Sequence, residues 1–318
     1  MEFIVKRTTD LSKEEIGMFV ELFSEVFGKT RTDREVINEY THTPFGYSFH
    51  GLIYDEGKIV GAHSLIPFHY YFGNEKCLFA VTADTMTDKS HRELYNIMQL
   101  VRTCETAAKE VGITMVFGFP NENSYPVFKK GLKYKDIGDL YTYILAYKIG
   151  GVKASMKLFN IFSMFSSHFL IALSRLLRGS LRKHDFLVKK DTLEFLNNRY
   201  LWFDQDYKVV KAGEDYFSYK ILVHEGVKSV FLIDCTDTSK RAFQEAISYI
   251  FKHHRHEFDV LLYVGNLPFI PLNMIRIPHK YEPKHFHFHG KILDKSRIND
   301  CVFDLSNWNV NLSNYDLL

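Results

Sequence analysis

The stretch from Thr85 to Tyr134 constrains the fold more than any other part of this chain. It reads TMTDKSHRELYNIMQLVRTCETAAKEVGITMVFGFPNENSYPVFKKGLKY. A strand ends in Thr85, Met86 and Thr87, and a short basic turn leads into a long helix starting near Arg92. An apolar strand, Met115 to Phe119, follows. Asn121 then opens a turn, a short helix comes next, and Lys130-Gly131 precedes a further strand. A helix that opens directly after a strand presents free backbone N–H groups and the positive end of its dipole, a setting that favours negative charge.

The residues before this unit predict two helices and a meander. Glu2 to Arg7 alternate as a first strand. Ser12 is placed to cap a helix, with Glu15 as capping-box partner and Gly28 at its C-terminal end. Phe19, Leu22, Phe23 and Phe27 recur at helical spacing, so one face turns inward. A second helix is expected over Asp33 to Tyr40. Strands are expected over Ser48 to Tyr54, Lys58 to Phe72 and Lys76 to Thr87, turned by Glu56-Gly57 and Gly73-Asn74. Pro67 inside the second of these implies a bulge or an edge.

This element order resembles the acyl-CoA-binding half of the GNAT-superfamily N-acyltransferases, over residues 1–147. Members usually carry Arg/Gln-x-x-Gly-x-Gly/Ala at the turn; this chain has Arg92, Glu93, Leu94, Tyr95, Asn96 and Ile97 there, without either glycine. The resemblance implies an α/β fold, an α+β mixed sheet. It implies that acetyl-CoA, as co-substrate, lies against Thr85, Met86 and Thr87, with its pyrophosphate on the turn Arg92, Glu93, Leu94, Tyr95 and Asn96. Asn121 is the implied further cofactor contact. Glu93 places a carboxylate near that phosphate, which Arg92 and Lys89 can offset.

Two catalytic roles follow from the same resemblance. Asp84, an acid inside an apolar strand, is the candidate base for an amine acceptor, with a loop hydrogen bond as its structural alternative. Tyr125 is the phenol nearest the position that protonates a leaving thiolate, although spacing from Gly131 puts that position at Val127 or Phe128. Asn121 capping the short helix, with Tyr125 packed, is the alternative there.

The second half repeats the order at low resolution. A helix is expected over Asp191 to Arg199 and another over Ser239 to His254. Strands are expected at Tyr207–Lys211, Tyr216–His224, Val227–Cys235, Val260–Val264, His285–Leu293 and Cys301–Leu305. The expected organisation is tandem GNAT-like domains: residues 1–147 for the donor, a connecting helix over 148–183, and a second GNAT-like domain over 184–318. Tyr200, Trp202 and Trp308 are candidate aromatic walls of an acceptor pocket. Val152 to Leu177 is apolar but interrupted by Lys157, Asn160, His168 and serines, short of the about 20 unbroken apolar residues of a span. Burial as a connecting helix is expected, with peripheral contact to an anionic membrane as the alternative.

Composition narrows the remaining classes. A net charge of +2 with no basic stripe excludes a nucleic-acid binder as the first reading. Cys77, Cys104, Cys235 and Cys301 lie far apart, which fits a reducing, cytoplasmic setting without structural zinc. His285, His287 and His289 alternate on one strand face about 7 Å apart, and no metal is expected. The function expected is acetyl transfer from acetyl-CoA to a primary amine of a small molecule or sugar. Two alternatives stay open: an aminoacyl or other acyl transferase on the same fold, and a non-catalytic module with a degenerate CoA turn.

Overall fold

The computed structural model describes residues 1–201, 206–282 and 284–315. It divides into two compact units whose boundaries cut across the sequence. Unit 1 comprises residues 1–139, 187–203 and 286–308, and unit 2 the rest. Three contiguous segments therefore do not describe the packing: two later stretches return to the first unit.

Unit 1 opens with β1 (Glu2–Arg7), α1 (Lys13–Phe27) and α2 (Asp33–Thr41). The capping box of α1 forms: Ser12 Oγ accepts the Glu15 N–H at 3.2 Å and the Ser12 N–H donates to Glu15 Oε2 at 2.8 Å. Gly28 ends the helix at φ 66°, a left-handed position that glycine adopts without strain. The meander follows as β2 (Phe49–Asp55), β3 (Lys58–Phe72) and β4 (Glu75–Thr87). α3 (Leu94–Glu110) crosses over to β5 (Ile113–Gly118), which runs parallel to β4. The chain leaves unit 1 within β6 (Lys135–Ala146).

Unit 2 continues with a single turn, α4 (Ile149–Val152), and α5 (Asn160–Leu176). The chain then returns to unit 1, where β7 (Val188–Lys190) pairs with the far end of β3 and α6 (Thr192–Phe195) follows. Pro67 pairs with Ala80 of β4, but on its other side it lies between the end of β2 pairing at Leu65 and the start of β7 pairing at Tyr70, where no ladder is broken. Back in unit 2 come β8 (Lys208–Ala212), β9 (Asp215–His224), β10 (Val227–Cys235), α7 (Lys240–His254), β11 (Val260–Gly265) and β12 (Ile275–Arg276). The turn Glu225-Gly226, at φ 49° and 81°, reproduces the turn Glu56-Gly57 at 48° and 81°. Finally β13 (Phe286–Ile292) enters unit 1 beside β5, antiparallel to it, with His289 opposite Gly118.

The sheet of unit 1 thus runs β1-β2-β3-β4-β5-β13, and unit 2 carries β6-β11-β10-β9-β8. One face of the first sheet packs on α3 through Phe49, Leu65, Val101, Cys104, Val116, Phe128 and Tyr134. An aromatic group of Tyr70, Phe79, Phe117, Phe288 and Trp308 fills a second core. In unit 2, α7 packs Phe243, Ile247, Ile250 and Phe251 against Leu145, Val230 and Leu261.

Three expectations are corrected. Cys301 to Leu305 is not a strand: Asp300–Phe303 and Leu305–Asn307 are 3₁₀ turns. The side chains of Asn299 and Asp304 accept the N–H groups of Cys301 and Ser306, and that local bonding competes with a strand ladder. Trp308 and Tyr200 are buried in unit 1, Trp308 completely, and form no exposed wall; Trp202 lies outside the described residues. The helix expected to be buried over 148–183 instead exposes its large apolar side chains. Among the described residues, Ala154–Leu176 is the helical stretch long and apolar enough to cross a membrane.

Candidate functional site

β4 and β5 run side by side only over part of their length. Leu78 to Val81 pair with Ile113 to Phe117, and the ladder stops there. β4 continues six residues further, from Thr82 to Thr87, while β5 ends at Gly118. The β5-facing edge of Thr82 to Thr87 is left beyond that ladder, a place where an extended chain of amide groups can pair. A bulge sharpens the divergence: Ala62 and Ser64 of β3 pair with Met86 and Ala83, so β4 carries one extra residue between them. That residue region includes Asp84, held at φ 41°.

The bulge decides where the side chains go. Thr85 meets His63, its hydroxyl 2.8 Å from Nδ1, on the face covered by α3. Met86 and Thr87 are buried. Asp84 turns to the opposite face, where it accepts from Arg31 Nη1 at 2.8 Å and from the Tyr40 hydroxyl at 2.6 Å. Arg31 also pairs with Glu39 at 3.0 Å, and Tyr40 packs edge-on against His50.

The turn after β4 is a 3₁₀ turn, Lys89–His91, capped by Asp88, whose carboxylate accepts the N–H groups of Ser90 and His91. Burial pushes the Asp88 carboxyl up, but bonds from His91 and Ser90 outweigh it and hold it down at about 2. His91 bonds Asp88 and then Asp55, and both raise its imidazole above the usual range. α3 then opens at Glu93 with no side-chain cap, so its first N–H groups depend on water or a ligand. Arg92, Glu93, Leu94 and Tyr95 are exposed around this terminus, and Arg92 Nε donates to the Thr87 carbonyl at 3.3 Å. Asn96 differs from the other turn residues: it is buried, and its amide donates to the His91 carbonyl at 3.2 Å.

Asn121 and Tyr125 take the structural roles. Asn121 Oδ1 accepts the N–H groups of Asn123 and Ser124, capping the turn. The Tyr125 hydroxyl donates to Asp136 at 2.9 Å, accepts from Lys129 at 2.7 Å, and its ring stacks on His287. The following turn sends Phe128 to the α3 face, near His63. Asp84 and Tyr125 therefore do not face each other across one gap: one carboxylate is locked under α1 and α2, the phenol sits beside β13. The proposed base–acid pair is corrected on this geometry.

Sequence reasoning missed His63. It is fully buried on β3, Nε2 has no partner, and burial lowers its pKa to about 3, so the imidazole is neutral. His289 is also buried with both ring nitrogens unpartnered, packed between Phe128 and Tyr134. The alternation His285, His287, His289 does not survive as one metal-facing row. His287 bonds Asp139, His289 is internal, and His285 lies with His279 around the buried Glu282 of unit 2. Glu282 stands within ligand distance of both histidines there. Glu282 Oε1 accepts the Thr142 N–H at 2.9 Å, and Oε2 bonds His279 at 2.8 Å.

Comparison with known proteins agrees with this fold. The family described as "Acetyltransferase (GNAT) domain" matches residues 7–130. The fold is similar to a GCN5-related N-acetyltransferase from Anabaena variabilis, with TM-score 0.57, 15% identity, and coverage of 92% of this chain and 73% of that one. A GCN5-related N-acetyltransferase from Kribbella flavida gives TM-score 0.59 at 13% identity, covering 92% and 71%. Eis1 from Mycobacterium abscessus gives 0.54 at 11% identity, covering 92% and 74%. No curated protein matches by sequence. Residues 7–130 thus match the GNAT acetyltransferase domain family, and over 92% of the chain the fold is similar to that of these N-acetyltransferases.

Proposed function

We propose that this protein is an N-acyltransferase that moves an acetyl group from acetyl-CoA to a primary amine of a small molecule or sugar, in the cytoplasm. The observation that carries the reading is the β4 edge from Thr82 to Thr87, free of β5 and followed at once by the uncapped N-terminus of α3. A pantetheine arm would add to that edge through its amides, and the pyrophosphate would take up the N–H groups at Leu94 to Asn96 beside Arg92 and Lys89. The amine nitrogen attacks the thioester carbonyl, the C–N bond forms, the C–S bond breaks, and the amine proton leaves as the CoA sulfur gains one. Holding the two reactants in line supplies most of the acceleration in this scheme. Asp84, tied to Arg31 and Tyr40, serves the bulge rather than the proton.

A second reading has its own support. Glu93 and Tyr95 stand where a phosphate needs bare backbone, and both are exposed at the turn. That favours a non-catalytic module with a degenerate CoA turn, or a different acyl donor. Acetyl-CoA melting curves and a thiol assay with a panel of amines separate these. For the transferase, acetyl-CoA raises the melting temperature, the stabilisation reaching about 2.7 kcal/mol at a hundredfold excess over Kd, and an amine then releases CoA. Stabilisation without release from any amine counts against turnover; no stabilisation sinks the acetyl-CoA assignment and favours the degenerate module or another donor.

A further inference from the structure

α5 is amphipathic the wrong way round. Its buried residues are Ser163, Ser167, Ile171 and Ser174. The Ser163 hydroxyl donates to the Tyr147 carbonyl at 3.0 Å and the Ser167 hydroxyl to the Ala146 carbonyl at 3.0 Å, fastening the helix to the end of β6. The opposite face holds Leu158, Ile161, Phe162, Phe165, Phe169 and Leu176, each between 58% and 91% exposed. These positions fall in one stripe at helical spacing. Helices of globular proteins turn such a stripe inward; an outward patch of this kind marks a docking surface.

The charge around the stripe says what it docks on. Between residues 148 and 184 stand Lys148, Lys153, Lys157, Arg175, Arg178, Arg182 and Lys183, with no Asp or Glu, in a chain whose net charge is +2. Basic residues flank both ends of the apolar stripe. Beside its C-terminal end, α7 and α5 enclose a cavity of about 350 Å³ lined by Arg175, Arg178, Arg241, Lys252 and Gln244. Gln244 is 3% exposed, and neither its side-chain oxygen nor its nitrogen has a partner. Arg241 is shared with Glu245 at 2.9 Å.

We propose that this face of α5 docks on an anionic lipid bilayer. The Phe, Ile and Leu side chains enter the interfacial zone, the flanking lysines and arginines meet lipid phosphates, and the cavity takes one anionic headgroup. The serine bonds to β6 keep the helix lying on unit 2, so it lies in the membrane surface and does not cross it. A second copy is a poorer occupant: a symmetric pair would bring the same basic flanks together.

Co-sedimentation of the full chain with phosphatidylcholine vesicles, with and without phosphatidylglycerol, tests this. Binding to the anionic vesicles should exceed binding to neutral ones by about tenfold or more and fall as salt rises. Phe162→Glu with Phe165→Glu, and separately Arg175→Glu with Arg178→Glu, should each lower it by about tenfold or more, with far-UV circular dichroism unchanged because these side chains are exposed. No binding to anionic vesicles, equal binding to both compositions, or binding untouched by both variants overturns the proposal. So does self-association in sedimentation velocity that the phenylalanine variant abolishes while vesicles are not bound, which assigns the face to a second copy.

Discussion

Taking the protein from pH 7 to pH 5 is expected to destabilise it by several kcal/mol. His50, His63 and His289 are buried in unit 1, and burial lowers each imidazole to about 3, with His63 adding to the effect on His50. Unfolded, each titrates near 6.5. Below that value the unfolded chain binds protons that the folded chain refuses. Stability that is complete above pH 6.5 is therefore lost as the pH falls toward 3, at about 1.4 kcal/mol per unit for each histidine. Three of them give roughly 6 kcal/mol by pH 5, comparable with the whole stability of an ordinary domain; His91, raised by Asp88 and then Asp55, works in the opposite sense and offsets part of this. The carboxylates of Glu15 and Asp88, lowered to about 2, act in the same sense only below their own unfolded range, so they do not blur this window. Denaturant midpoints at pH 7.5, 6 and 5 read the slope. His289→Phe should flatten it by about a third, since it removes one of three equivalent titrations. A midpoint constant across this range would show that these imidazoles are not buried as described.

Trp308→Ala is expected to reduce stability by about 3–5 kcal/mol. The indole is fully buried among Tyr70, Phe79, Phe117 and Phe288, and its Nε1 donates to the Val302 carbonyl at 2.7 Å. Alanine would leave a cavity between β3, β4, β5 and β13 and strip a buried carbonyl of its donor. Trp308→Phe, which keeps most of the volume, should be milder. Urea melts measure both. If Trp308→Ala shifts the midpoint no more than a surface substitution does, residues 286–308 are not part of the core of unit 1.

The return of residues 286–308 to unit 1 is the part of the fold least legible in the sequence. Local signals were sufficient for the meander and both strand–helix–strand stretches: the Ser12–Glu15 box, the Glu56-Gly57 and Glu225-Gly226 turns and the apolar run at β5 all act within a few residues. Nothing local says that Phe286 to Ile292 pairs with β5, some 170 positions earlier. Pairing of that range is decided by tertiary packing. The turn around Arg92 and the helix after it were legible for the same local reason. The direction of Asp84 was not. Strict alternation along β4 would set it on the same face as Met86, whereas one extra residue in β4 gives it a left-handed backbone and a place under α1 and α2. α5 failed for a different reason: apolar residues at helical spacing predict burial, and the spacing cannot say which face the serines claim.

In the proposed function, the β4 edge beyond Val81 receives acyl-CoA. Amide hydrogen exchange of the full chain, with and without saturating acetyl-CoA, tests it residue by residue. Slowed exchange is expected at Thr82 to Thr87 and at Arg92 to Asn96, with β8, β9 and β10 unchanged. Unchanged exchange over Thr82 to Thr87, or protection confined to the strands of unit 2, would contradict it.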